Sequence, residues 1–391
     1  MNEDRWAPCF RGSLQTARCL VIALFWGLLC ALPAVGHAQQ TSEPDTIQPC
    51  QPCGTIRVDT VATLYDRDGE AGLTPPSPIE VLRVPQGGFL VISANPFEPF
   101  LFDEDGVYSG MLGREGEGPG EYQSPASAWI GPDETLWTFD RGLQRATKWT
   151  DEWEVADTRR LPVRSGSMVI FEDGTLVNSS PVMDADRVGY PFHRISADGE
   201  LGASFGPEVQ VAPTGHLPGH ITRLLWPAGS ESFWAAPRHK YKIERYNLQG
   251  QRERALVRAA DWFPDQDPTE SRAVSPESPP PPRIGGFVED DEGRLRVLAR
   301  VAADGWEEGV GERQPMPGFD DDGPHHHPID HDIVFGSVIE VLDPVSGQLV
   351  ASRRLQGLAL QWVDESHVAM YTQDRFDIPI IHIVQVAVVD P

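Results

Sequence analysis

The chain has 391 residues, with 32 Lys and Arg against 58 Asp and Glu and a formal net charge of −26. A field this acidic excludes nucleic acid and anionic membrane surfaces as natural partners and fits a solvated surface that keeps a protein soluble. The length would allow two or three average domains, but all-β rings run long as single domains, so the elements come before any division of the chain.

The chain opens with Arg5, Arg11 and Arg18, then the apolar run "CLVIALFWGLLCALPAV", then the small-residue ending "GHA" at Ala38. This order of charge, apolar run and small residues is that of a secretory signal peptide over residues 1–38. The run falls short of the roughly 20 residues of a spanning helix and carries Pro33 near its end, so no membrane span is expected after cleavage. Leu29 before Cys30 does not suit a lipoprotein signal. Cleavage removes three basic and two acidic residues, leaving 29 against 56 and a net charge of −27. The mature protein is expected in the periplasm or outside the cell, as a monomer.

Cys9, Cys19 and Cys30 leave with the signal, and Cys50 and Cys53 remain as "CQPC" in an N-terminal segment, residues 39–54. In an oxidising compartment these two are expected to form a local disulfide. The alternative, a redox-active pair, would stand at a helix N-terminus after a strand. Here Gly54 and the strand-like "TIRVDTVATL" follow instead.

From residue 55 onward short apolar runs recur between turn signals, without a sustained apolar repeat at helical spacing. The turns read as "DEDG" at Asp103, "EDG" at Glu172, "SADG" at Ser196, "NLQG" at Asn247, "DDEG" at Asp290 and "DPVSG" at Asp343. The hairpins group into units of four strands. The first runs from Ile79 to Leu112 and the second from "ASAWIG" to "EVADTRRL", and later units begin near Ser167, Ile221, Ile284 and Leu358. Four strands in about 40–45 residues is the signature of a propeller blade. The last unit offers three strands, and the orphan run Thr55 to Leu64 supplies the fourth. The expectation is an all-β, six-bladed β-propeller over residues 55–391, with four-stranded antiparallel blades and a ring closed by an N-terminal strand pairing with the last blade. Two loops exceed the repeat: a Pro-rich inter-blade linker at 257–283, with "SPPPPR" as a stiff spacer, and an acidic, His-rich insertion at 301–332.

Between the first two units lies "GREGEGPGEY", Gly113 to Tyr122. A dinucleotide loop needs G-x-G-x-x-G opening a helix, and a P-loop ends in G-K-[ST]. Neither spacing is present, and Glu115, Glu117 and Glu121 would repel a phosphate. Gly113, Gly116, Gly118, Pro119, Gly120, Glu121 and Tyr122 match a G-x-x-G-x-G-P-G-E-[FY] segment, and the sequence resembles the bacterial six-bladed β-propeller proteins related to NHL repeats. That resemblance implies an exported ring and brings no catalytic residues with it.

Strand direction puts the blade-to-blade connections and the loops between second and third strands on one face, which becomes the candidate binding surface. Two sets of residues there could do chemistry. The insertion ends in "DDDGPHHHPIDHD", so Asp320, Asp321, Asp322, His325, His326, His327, Asp330, His331 and Asp332 are candidate ligands for a transition metal, zinc included, against the plainer reading of a solvated low-complexity loop. His216 and His220 are candidates for the mouth of the central channel, against a packing role. The primary expectation is a scaffold that binds a protein, peptide or glycan. The alternative is a lactonase-like, metal-dependent hydrolase or lyase at the channel mouth, with calcium or zinc as the cofactor; no calcium-loop pattern is present.

Overall fold

A computed structural model describes residues 43–65, 78–93, 98–163, 166–182, 184, 186–209, 221–266, 274–316, 325–376 and 378–389. Residues 1–38, read above as a signal peptide, and His216, His220, Asp320, Asp321, Asp322 and part of the Pro-rich linker lie outside them.

Six four-stranded antiparallel sheets form the blades, in strand order from the axis outward. Their innermost strands are Pro78–Arg83, Pro125–Ile130, Ser167–Ile170, Arg223–Pro227, Arg283–Glu289 and Leu358–Trp362. Each inner strand touches the next, and the sixth touches the first. The chain is a six-bladed β-propeller.

The residue pattern follows from this architecture. A blade's second strand is covered by a neighbouring blade on either side, so "FLVIS", "LWTFD" and "SFWAAP" are buried at every position and read as continuous apolar runs. Outer strands face water, and "VADTRR" is mostly exposed. The core is therefore six inter-blade seams. Leu90, Leu136 and Trp149 fill the seam between blades one and two, Phe192 and Phe233 that between three and four, and Leu64, Phe89 and Ile381 that between six and one.

The last seam depends on the N-terminal strand. Thr55–Tyr65 lies antiparallel to Pro379–Val389, in register from Thr55 opposite Val389 to Tyr65 opposite Ile380, and completes blade six. The residues before it strap the outside of the ring. Asp45–Thr46 adds a parallel fifth strand to blade four, Gln48 bridges to Gln348 and Gly54 to Ala351 on the outer strand of blade five. The disulfide between Cys50 and Cys53 sits in this strap, with Cys50 packed against the core between blades four and five.

The glycine-rich stretch joins blade one to blade two and is held by its own polar groups. Glu121 accepts the Gly118 N–H at 2.7 Å and an ion pair from Arg114 at 2.6 Å, and Arg145 donates to the carbonyls of Glu117, Gly118 and Glu121. Tyr122 is buried beside Trp149, and both hydrogen-bond the Thr138 hydroxyl at 2.9 Å. Asp140 then fixes the entry to blade two by accepting the N–H groups of Gln123 and Ser124. These contacts account for Glu121, Tyr122 and the carbonyls of Glu117 and Gly118 in the motif, while Arg114, Glu115 and the Glu117 side chain stay exposed. Gly113 has φ +78°, and a Cβ there would collide with the Gly120 carbonyl and stand 2.7 Å from the Tyr122 ring. Gly113→Ala is expected to lower the free energy of unfolding by about 1–3 kcal/mol through backbone strain alone. An unchanged urea midpoint would contradict this account of the motif.

Candidate functional site

The described residues of the blade-five insertion, 301–316 and 325–332, are tied to the ring at both ends. Val310, Ile329 and Val334 pack with Leu358 and Tyr371 of blade six, which anchors both ends of the insertion. Between the anchors Gln314–Pro315 pairs with His325–His326, and His327 donates to the Gly311 carbonyl at 2.8 Å. Asp330 caps the helical turn His331–Val334 by accepting the Asp332 N–H. His331 packs against the rings of Phe335 and Tyr371, while Asp332 accepts the Gln373 N–H of blade six at 3.2 Å. Burial pushes the His331 imidazole below its usual value and the Asp332 carboxyl above its own.

The candidate metal residues are thus split by the fold. His325, His326 and His327 belong to the hairpin, while Asp330, His331 and Asp332 belong to the turn against blade six. Among the described residues no three His, Cys, Asp or Glu side chains form a group able to hold an ion. The Nδ1 atoms of His326 and His331 and the Oδ1 of Asp332 are buried without a hydrogen-bond partner.

A cavity of about 1320 Å³ runs along the ring axis, walled by the six inner strands. Its walls mix apolar side chains such as Leu82, Ile170, Trp226 and Trp362 with polar and charged ones. The hairpins between first and second strands surround one end and bring Glu134, Glu172 and Asp364 to it. Asp364 bonds Arg83 at 2.9 Å and His367 at 2.8 Å; burial opposes its ionisation, but these partners and the Ser366 N–H hold its carboxyl well below the usual range. This pair latches blade six to blade one.

Glu80, Arg223 and Arg238 are charged groups farther along the cavity, and sequence reasoning missed all three. Gln361 of blade six donates to the Glu80 carboxylate at 3.0 Å and to the Val81 carbonyl at 2.8 Å. Burial nonetheless pushes Glu80 up from 4.5 to about 7, against the opposing effects of Gln361 and Arg238. The one available signal was an acidic residue inside the apolar "IEVLRV" of an inner strand. Because the folded state holds a proton that the unfolded chain releases, stability falls as pH rises from 4.5 to about 7. Glu80→Gln removes that slope, so the variant is expected to gain on the wild type in urea midpoint between pH 4.5 and pH 8. Parallel pH profiles for the two proteins would contradict the assignment.

No family model matches this sequence, and no curated protein does. Solved structures do. A protein of Bacteroides fragilis named as a candidate exported protein has a TM-score of 0.56 at 11% identity, covering 88% of this chain and 99% of its own. A member of the DUF4221 family from Bacteroides vulgatus has a TM-score of 0.55 at 9% identity, covering 86% and 99%. The likeness is one of fold. Virginiamycin B lyase from Staphylococcus aureus matches at 0.44 and 10% identity over 85% of this chain and 100% of its own, a distance at which nothing about activity follows.

Proposed function

We propose that this protein is an exported binding propeller that takes a protein, peptide or glycan on the face bearing the blade-five insertion. The observation that carries the reading is the anchoring of that insertion across the seam between blades five and six. A segment rich in Gly, Pro, Asp and His is far longer than a turn between two strands needs, and Val310, Ile329, Val334 and Asp332 fix it to the neighbouring blade. Loops held rigidly on a scaffold lose little entropy on binding, and the unpaired buried atoms of His326, His331 and Asp332 leave polar capacity for a partner. Export is supported by the N-terminal signal pattern and the Cys50–Cys53 bridge.

The test is binding of the mature protein to glycan and peptide arrays, beside a variant in which residues 305–328 are replaced by a short Gly-Ser turn. The expected result is a ligand class bound by the first and lost by the second, with the excised variant still a folded monomer by far-ultraviolet dichroism although its urea midpoint falls with the loss of Val310 from the seam. Retained binding in the excised variant would overturn the assignment of the face.

One observation favours a second reading. Glu80, with a carboxyl near pH 7 in an axial cavity beside Arg238, has the properties of a general acid or base. On that reading the cavity would host a hydrolase or lyase, with Glu80 as the proton-transferring group.

A further inference from the structure

Arg238, Arg283 and Arg300 stand together where blades four and five meet, on the insertion-bearing face. Arg283 and Arg300 are opposite partners across the first two strands of blade five and so project from the same side of the sheet, with Cβ atoms about 5 Å apart. Arg238 arrives from the turn between the second and third strands of blade four. Its carbonyl accepts the Ile284 N–H at 2.8 Å, and its Nη1 donates to the Gly285 carbonyl at 3.3 Å. The strand it meets is bulged between Ile284 and Gly286, a distortion common beside binding sites.

Among the described residues none of the three makes a salt bridge to a carboxylate, as other arginines of this chain do. Arg258 reaches Glu340, Arg296 reaches Asp290, and Arg252 reaches Glu244. Among the described residues the side chains of Arg283 and Arg300 make no hydrogen bond or ion pair; the Arg300 guanidinium lies over the Phe335 ring, 5.4 Å from its centroid, and its buried Nε has no hydrogen-bond acceptor. Burial, then Arg238 and Arg283, pushes Arg300 down to about 10. The facing groups do not neutralise the cluster. Glu80 opposite Arg238 is raised to about 7, and His331 near Arg300 is lowered by burial and by that arginine. With 58 acidic residues against 32 basic ones in the chain, three adjacent arginines that face only the Glu80 carboxyl and make no salt bridge among the described residues require a reason.

We infer that Arg238, Arg283 and Arg300 form a binding site for an oxyanion, a carboxylate, sulfate or phosphate group carried by the ligand of this face. Planar guanidinium forks bind such groups in bidentate fashion, and an anion between them turns mutual repulsion into attraction. Arg238 lines the axial cavity and is exposed to it, so the site opens on a space of about 1320 Å³. The inference rests on the reading of this face as the recognition surface and adds the chemical class of what it recognises.

The test is calorimetric titration of the full mature protein with inorganic phosphate, inorganic sulfate and acetate, at constant ionic strength. Sulfate and phosphate stabilise proteins generally by exclusion, so saturable heat is read rather than melting temperature. The expected result is saturable binding of at least one anion, weakened about tenfold or more in Arg238→Gln and in Arg300→Gln, the range of one charge-assisted hydrogen bond. The tightest of the three anions identifies the source of the group. Arg283→Gln, at an exposed side chain, loses affinity without risk to folding. Absence of saturable heat with all three anions, or affinities unchanged in the variants, would overturn the site. Array binding that survives excision of the insertion overturns the face instead, so the two failures are distinguishable.

Discussion

Removal of residues 39–65 from a chain that starts at Gln39 is expected to abolish its folding into a soluble monomer. Those residues contain the strand Thr55–Tyr65, which pairs along the length of Pro379–Val389 and buries Ile56 in the seam to blade five and Leu64 in the seam to blade one. Truncating one buried Ile or Leu costs about 2–5 kcal/mol. Losing both, together with ten paired positions, rivals the roughly 5–15 kcal/mol that holds a whole domain. The deletion also bares the edge of "PIIHIVQVAVV", a long apolar strand of the kind that aggregates when unpaired. Size-exclusion chromatography and far-ultraviolet dichroism of the truncated protein check this. A soluble monomer with the wild-type urea midpoint would contradict the closure of the ring.

The second large effect is expected at Glu340, on the third strand of blade five. It is buried, accepts the Tyr241 hydroxyl at 2.7 Å and Arg258 at 3.2 Å, and so joins blade five to blade four. Glu340→Ala leaves a half-buried guanidinium and a buried phenol unpaired, and is expected to cost about 3–5 kcal/mol in urea unfolding. Adding Arg258→Ala to it removes the orphaned charge and recovers part of the loss, because the two side chains act as a unit. A single-variant cost below about 1 kcal/mol would mean that the pair does not clamp the seam.

The ring was legible because its physics is local and repeated. Strands covered on both sides must be apolar throughout, hairpin turns use the residues their geometry demands, and a sixth blade with three strands called for Thr55–Leu64. The disulfide was legible from spacing and compartment. The site was legible only in part. The insertion reads as low complexity because its anchors, Val310, Ile329 and Val334, are sparse, and their partners Leu358 and Tyr371 lie elsewhere in the chain. Glu80 and Gln361 meet, and Arg238 comes to share their cavity, only because three blades converge on the axis. Arg283 and Arg300 become neighbours only through strand register, which no composition or motif encodes.

The measurement that bears most directly on the account is the fate of a bound ligand. The array ligand is incubated with the mature protein and, in parallel, with Glu80→Gln, and its mass is followed over time. The binding reading predicts quantitative recovery of unchanged ligand from both, with equal affinity. Conversion to product by the wild type, lost in Glu80→Gln, would contradict it and make the axial cavity an active site.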